Sequence, residues 1–168
     1  MAWTNPRTWV AGETVTAAYL NTNVRDNLNS LRAGIVASTS AVSNQGPTSG
    51  GQEIVGTPNP LTITTDGFQT IELSYSWYNL LETTTGDICL IRLFEGSVAG
   101  TGNELARLIS LSYGGSINYG GGYIRAVLQP SAGSHTYTSR ILRSAGTGTA
   151  TVLASTTFPA TLLARQVN

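Results

Sequence analysis

The chain contains no lysine. Its nine basic residues are all arginine, spaced singly from Arg7 to Arg165, and nine acids balance them to a formal net charge of zero. With no basic stripe to neutralise a run of phosphates, nucleic acid is not an expected partner. Charged residues make up 11 % of the chain, against roughly 25 % in an ordinary soluble domain. The surface must therefore be built mainly from neutral Ser, Thr, Gly and Asn side chains. No stretch approaches the roughly 18 consecutive apolar residues of a membrane helix, so a membrane is not an expected partner. The opening "MAWTNPRTWVAGE" lacks the basic start and apolar core of a secretory signal, and synthesis in a cytoplasm is expected.

Cysteine is equally scarce. Cys89 alone excludes an intrachain disulfide framework, and its place in "DICLIRLF" predicts burial as a small hydrophobe. His135 is the only histidine, so any Ser-His or Cys-His pair would have to use it. No acid near it in sequence could orient the ring, which predicts a strand-end histidine packed at a turn. One His, one Cys and scattered carboxylates supply no metal-ligand spacing, so no metal or cofactor is expected. Carboxylate pairs carry glycoside hydrolysis, and Asp66, Glu72, Glu82, Asp87, Glu95 and Glu104 are the acids available. Glu82 and Asp87 flank "TTTG", and Glu95 and Glu104 flank "GSVAGTGN", positions expected to be solvated. No catalytic residue is assigned, and an enzyme is not expected. The glycine clusters "SGGQ", "YGGSINYGGGY" and "GTGT" lack the lysine and following helix of a phosphate loop, and read as hairpin turns.

What is present falls into three parts. Residues 1–35 form a leader and helix. Trp3 and Trp9 flank the turn-like Asn5-Pro6-Arg7 and either fold back on the chain or dock on a partner. From 12 to 35 the pattern is helical, with Thr14 or Thr16 as cap and Gly34 as stop. Ala17, Val24 and Leu31 take the d positions of a heptad, and Asn21, Leu28 and Ile35 the a positions, with Leu20 widening the stripe. About three turns are marginal alone, so the helix needs a partner: a trimeric coiled coil of three copies, or its own β domain. Residues 36–60, rich in Ser, Thr, Gly and Pro, read as a linker with a short strand at "QEIV".

From residue 61 to 168 the period becomes two. "LTITT", "FQTIELSYSW", "DICLIRLFEG", "ELARLISLSY", "GGYIRAVLQP", "SHTYTSRILR", "GTATVLAS" and "ATLLARQV" predict seven or eight strands between Gly-rich turns. Ile71, Leu73, Tyr75 and Trp77 share one face. Leu105, Ile109, Leu111 and Tyr113 fall together, and the doubly apolar run from Ile88 to Phe94 predicts a central strand. The fold expected is mainly β, an antiparallel β-sandwich or jelly roll preceded by a short N-terminal helix. Tyr113, Tyr119 and Tyr123, interleaved with glycines, are expected first to pack at their own strand ends, and are candidates for contact with a sugar ring or a neighbouring subunit.

The opening "MAWTNPRTWVAGETVTAAYLNTNVRDNLNSL" resembles the amino-terminal segment of small structural proteins of tailed bacteriophages, particularly of actinobacterial hosts. There a Trp-rich leader, "AGE-VTA--LN" and "VRDNLN" recur. The resemblance covers about the first 32 residues, and the body is similar only in general form to trimeric phage fibre or decoration modules. It implies a virion component: a homotrimeric capsid-surface decoration or short fibre, docked on capsid or tail proteins through its leader. The alternative it implies is a tail-associated receptor-binding protein that contacts host cell-wall glycans. Where such proteins often carry histidine before "VRDNLN", this chain has Asn23, which removes a pH-sensitive contact.

Overall fold

The computed structural model describes residue 8 and residues 10–25, 34–56, 60–112 and 117–167. Helix α1 (Ala17–Leu20) runs directly into a wider, π-type turn at Asn21–Arg25. The strands are β1 (Gly34–Ala41), β2 (Gln45–Thr48), β3 (Glu53–Val55), β4 (Leu61–Asp66), β5 (Thr70–Trp77), β6 (Asn79–Glu82) and β7 (Ile88–Glu95). They continue with β8 (Asn103–Leu111), β9 (Ile117–Tyr119), β10 (Gly122–Leu128), β11 (Ala132–Ala145), β12 (Ala150–Leu153) and β13 (Ala160–Val167).

All pairings are antiparallel and form two layers. In the first, the half-sheets β1-β13-β5-β10 and β2-β12-β6-β9 share one strand order. The reason is covalent: β1 bends into β2, β5 into β6 at Tyr78, β9 into β10 at Gly120–Gly121, and β12 into β13. The layer is one sheet with a crease across it. The second layer centres on β11, with β7 and then β8 on one side. On its other side β4 pairs with Ala132–Tyr137 and β3 with Arg140–Leu142, end to end. Counting each bent strand once, and the end-to-end β3 and β4 as one, leaves eight long strands among the described residues. The first layer takes them in the order first, eighth, third, sixth, and the second layer second, seventh, fourth, fifth, which is a jelly roll.

The core lies between the layers. Ile71, Leu73, Tyr75 and Trp77 face inward from β5, together with Leu162 and Ala164 of β13. They meet Cys89, Ile91 and Leu93 of β7, and Tyr137 and Ile141 of β11. Each large apolar side chain so buried contributes about 1.5–3 kcal/mol. Buried Tyr75 donates its hydroxyl to Gln45 Oε1 at 2.9 Å, so the polar atom does not enter the core unpartnered. Cys89 is fully buried, as its apolar run predicts.

Three expectations need correction. Residues 36–60 are not a linker: β1, β2 and β3 lie there and belong to the sheets, β1 at the edge of the first layer and β3 beside β11. The predicted helix does not reach residue 35. Ile35 is backbone-paired with Arg165 of β13, so it is not a heptad position. On β8 Leu105, Ala106 and Leu108 pack against the core, while Ile109 (61 % exposed) and Leu111, expected on the same face as Leu105, are exposed. The bulge in the β7–β8 pairing at Leu93/Phe94 shifts the register that simple alternation assumes.

Candidate functional site

Thr16 caps α1 as its sequence position suggests: extended (φ −91°, ψ 157°), it accepts the Tyr19 N–H on Oγ1 at 3.3 Å. Of the seam positions, Ala17, Asn21 and Val24 are described and all three are exposed, as is Leu20. Val10, Val15, Leu20 and Val24 present apolar surface, and no α1 residue is buried. Among the described residues, α1 therefore buries no side chain on the β domain. Trp3, Trp9, Leu28 and Leu31 lie outside the described residues.

Tyr113 also lies outside them, and of Tyr119 the backbone pairing with Leu80 is described. Tyr123, on β10, is 53 % exposed on the outer face of the first layer. Its hydroxyl approaches Glu72 Oε1 at 3.4 Å. Glu72 also accepts Arg125 Nη1 at 3.2 Å and Arg165 Nη2 at 3.1 Å, so one carboxylate on β5 gathers groups from both neighbouring strands. Tyr123 is thus the rim of a charge cluster rather than a free ring.

The outer face of the second layer is divided. One half carries a ladder in which Arg140 and Arg92 share Glu53, and Arg92 and Arg107 share Glu104. Phe94 lies under both inner guanidinium groups, 3.9 Å from Arg140 and 5.2 Å from Arg92. Arg107 holds the Glu104 carboxyl below its usual range. The other half is aliphatic: Leu142 pairs with Leu90, which pairs with Ile109, and Ile88 pairs with Leu111 in the next row.

The acids differ from expectation. His135 does have an acidic neighbour: Nδ1 meets Glu95 Oε1 at 2.6 Å, and Nε2 meets the Ser131 carbonyl at 2.8 Å. Both ring nitrogens face acceptors, which favours the imidazolium and raises the pKa, Glu95 contributing most. With Nε2 so occupied, the ring is not placed as a general base. Glu82 and Asp87 are fully buried rather than solvated. Asp87 accepts the backbone N–H groups of Thr84 (3.0 Å) and Gly148 (2.9 Å), and Gly146 and Gly148 lie so close that a Cβ at either would strike it. The "GTGT" cluster therefore wraps a structural carboxylate. Burial pushes the Glu82 carboxyl up, partly opposed by the Ser110 hydroxyl and reinforced by Asp87. The Ser110 approach does not close a well-formed hydrogen bond, and both Glu82 oxygens lack one. No group of three or more His, Cys, Asp and Glu residues able to hold a metal occurs among the described residues.

Two hollows went unread in the sequence. One, of about 230 Å³, runs between the β8 edge and Gly120–Gly122, with Trp77 and Leu80 beneath. Gly122 sits against the Trp77 indole so closely that a Cβ would overlap the ring. The other, of about 240 Å³, opens on the crease of the first layer beside Tyr78 and Phe158, whose rings stack at 4.2 Å and 17°.

No protein-family model matches the chain, and no curated protein matches it significantly. Among solved structures it is similar to a carbohydrate-binding module of Cellvibrio mixtus lichenase 5A in complex with cellotriose (14 % identity, TM-score 0.34, covering 80 % of this chain and 100 % of that one). It is similar also to the xylan-binding domain of Paenibacillus barcinonensis Xyn10C (12 %, TM-score 0.32, 81 % and 96 %). A third likeness is to infectious bursal disease virus, Gx strain (11 %, TM-score 0.34, 80 % of this chain and 36 % of that one).

Proposed function

We propose that the protein is a structural component of a tailed-bacteriophage virion, a homotrimeric capsid-surface decoration or short fibre mounted through its N-terminal segment. One observation carries this reading: the leader presents Val10, Val15, Leu20 and Val24 to solvent, and none of the α1 residues is buried. So short a helix is marginal alone in water, and its apolar side chains gain from a partner surface that the jelly roll does not offer. The resemblance of residues 1–32 to phage structural proteins supports the same reading. So does the aliphatic half of the second layer, where Ile109 and Leu111 are exposed. A body that ties Arg92, Arg107, Arg125, Arg140 and Arg165 into ion pairs with its own acids suits a scaffold rather than a catalyst.

Sedimentation of the full chain beside one that starts at Gly34 tests the proposal. The full chain is expected to sediment as a trimer and to bind virions that lack the protein. The truncated chain is expected to lose particle binding while keeping its β signature. A full chain that stays monomeric and ignores particles overturns the reading.

A further inference from the structure

The hollow on the crease is a built site rather than an accident of two exposed rings. Three neighbouring strands of the first layer bend there, and each bend delivers a residue. Asn44 comes from the β1–β2 bend, Tyr78 from β5–β6, and Ser155 and Phe158 from β12–β13. The last bend is pinned on itself, Ser155 N–H to Phe158 O at 3.0 Å and Phe158 N–H to Ser155 Oγ at 3.1 Å. It is also tied across the crease by Ala154 N–H to Asn44 Oδ1 at 3.1 Å. The rings are therefore held before any ligand arrives, which removes an ordering cost from binding.

Tyr78 is 52 % exposed and Phe158 48 % exposed, although Phe158 has no polar edge to solvate. Beside them stand donors with a direction. The Oδ1 of exposed Asn44 is used by Ala154, which leaves its Nδ2 amide without a protein partner among the described residues. The Ser155 oxygen accepts from Phe158, which leaves its hydroxyl proton to give. No charged residue lines the hollow, so an anion or cation would lose water there without gaining a counter-charge. The volume lies below the roughly 300 Å³ at which drug-sized pockets begin, enough for one six-membered ring.

We infer that the hollow of Asn44, Tyr78, Ser155 and Phe158 binds a single neutral pyranose unit, its C–H face on the aromatic pair and its hydroxyls on the Asn44 amide and Ser155. The site shares no residue with the tyrosine set Tyr113, Tyr119 and Tyr123 and does not depend on how the leader is mounted.

Saturation-transfer NMR on the full chain tests this with the methyl pyranosides of glucose, galactose, mannose, rhamnose and N-acetylglucosamine. Dextran, galactan and mannan form the polymer arm. At least one neutral methyl pyranoside is expected to bind with a Kd of roughly millimolar order, since so small a ligand offers few atoms. If the source is a glycan, the matching polymer competes for the same rings; if it is a free sugar, the monomer alone does. Either result sustains the site. Asn44→Asp keeps the acceptor for Ala154 and removes the donor, and should weaken binding about fivefold. Phe158→Leu keeps apolar bulk without a ring face and should abolish binding while far-UV dichroism is unchanged. No transfer from any of these sugars overturns the inference. So does transfer that persists in a Tyr78→Ala/Phe158→Ala chain, or loss of trimer in that chain without sugar binding in the parent.

Discussion

The Nδ1 atom of His135 lies 2.6 Å from Oε1 of Glu95, so a histidine near the start of β11 is bonded to the last residue of β7. The contact holds the pKa of His135 above its ordinary value of 6.5. A raised histidine contributes stability that is fully present below the unfolded pKa and is lost as pH rises through the folded value. The denaturant midpoint should therefore fall as pH climbs from 6.5 through the raised folded value. His135→Gln should remove that part of the slope, and a variant whose midpoint tracks the parent through this window would refute the pairing in solution.

Glu82 acts in a lower window. Its carboxyl is raised from 4.5 by burial, so the folded state holds the proton more tightly than the unfolded state. Stability attributable to this group declines as pH rises from 4.5 through the folded value. Glu82→Gln keeps the shape and cannot ionise, and should stabilise the chain at neutral pH by about 1 kcal/mol. Thermal melts at pH about 4 and about 7 should show a gain for the variant at the higher pH only.

Gly122 tests packing rather than charge. Because a Cβ there would overlap the Trp77 indole, Gly122→Ala must displace the ring or the β10 backbone. A loss of about 1–3 kcal/mol is expected. Trp77 fluorescence should shift toward longer wavelength if the ring moves out.

Arg140 is fully buried on the outer face of the second layer, bonded to Glu53 at 3.2 Å with Phe94 against its guanidinium. Arg140→Ala should cost about 3 kcal/mol by urea denaturation, because it takes one of two arginines from Glu53, leaving Arg92 alone on it, and uncovers the nearer side of the Phe94 ring. Arg107→Ala, at the exposed end of the same ladder, should leave the midpoint where it was.

Much of this fold could be read from alternation. Ile71, Leu73, Tyr75 and Trp77 announced β5, and the doubly apolar run of β7 announced a strand with neighbours on both sides. Each strand proposed beyond residue 60 is present. The first layer's edge was missed because "VASTSAVS" alternates Ala and Thr against Ser and Val, a period too faint to see without large side chains. Ile35 was miscounted because an aliphatic residue spaced seven from Leu28 fits a heptad whether or not the helix reaches it. Glu82 and Asp87 were expected to be solvated because nothing local to "LETTTGD" reveals that Gly146 and Gly148, some sixty residues on, close over Asp87. Tyr78 and Phe158 lie eighty residues apart, and only the common crease brings them together.

Cys89 is sealed between the layers, its thiol pushed up to about 12 chiefly by burial. A maleimide added to the native molecule would find no reactive sulfur, and with no lysine the side chains offer no primary amine. One cysteine introduced at Phe68, a loop position 77 % exposed, would become the sole address for a dye or heavy-atom cluster. The molecule comes ready for single-site labelling, and its orientation on a particle could be read from the position of one tag.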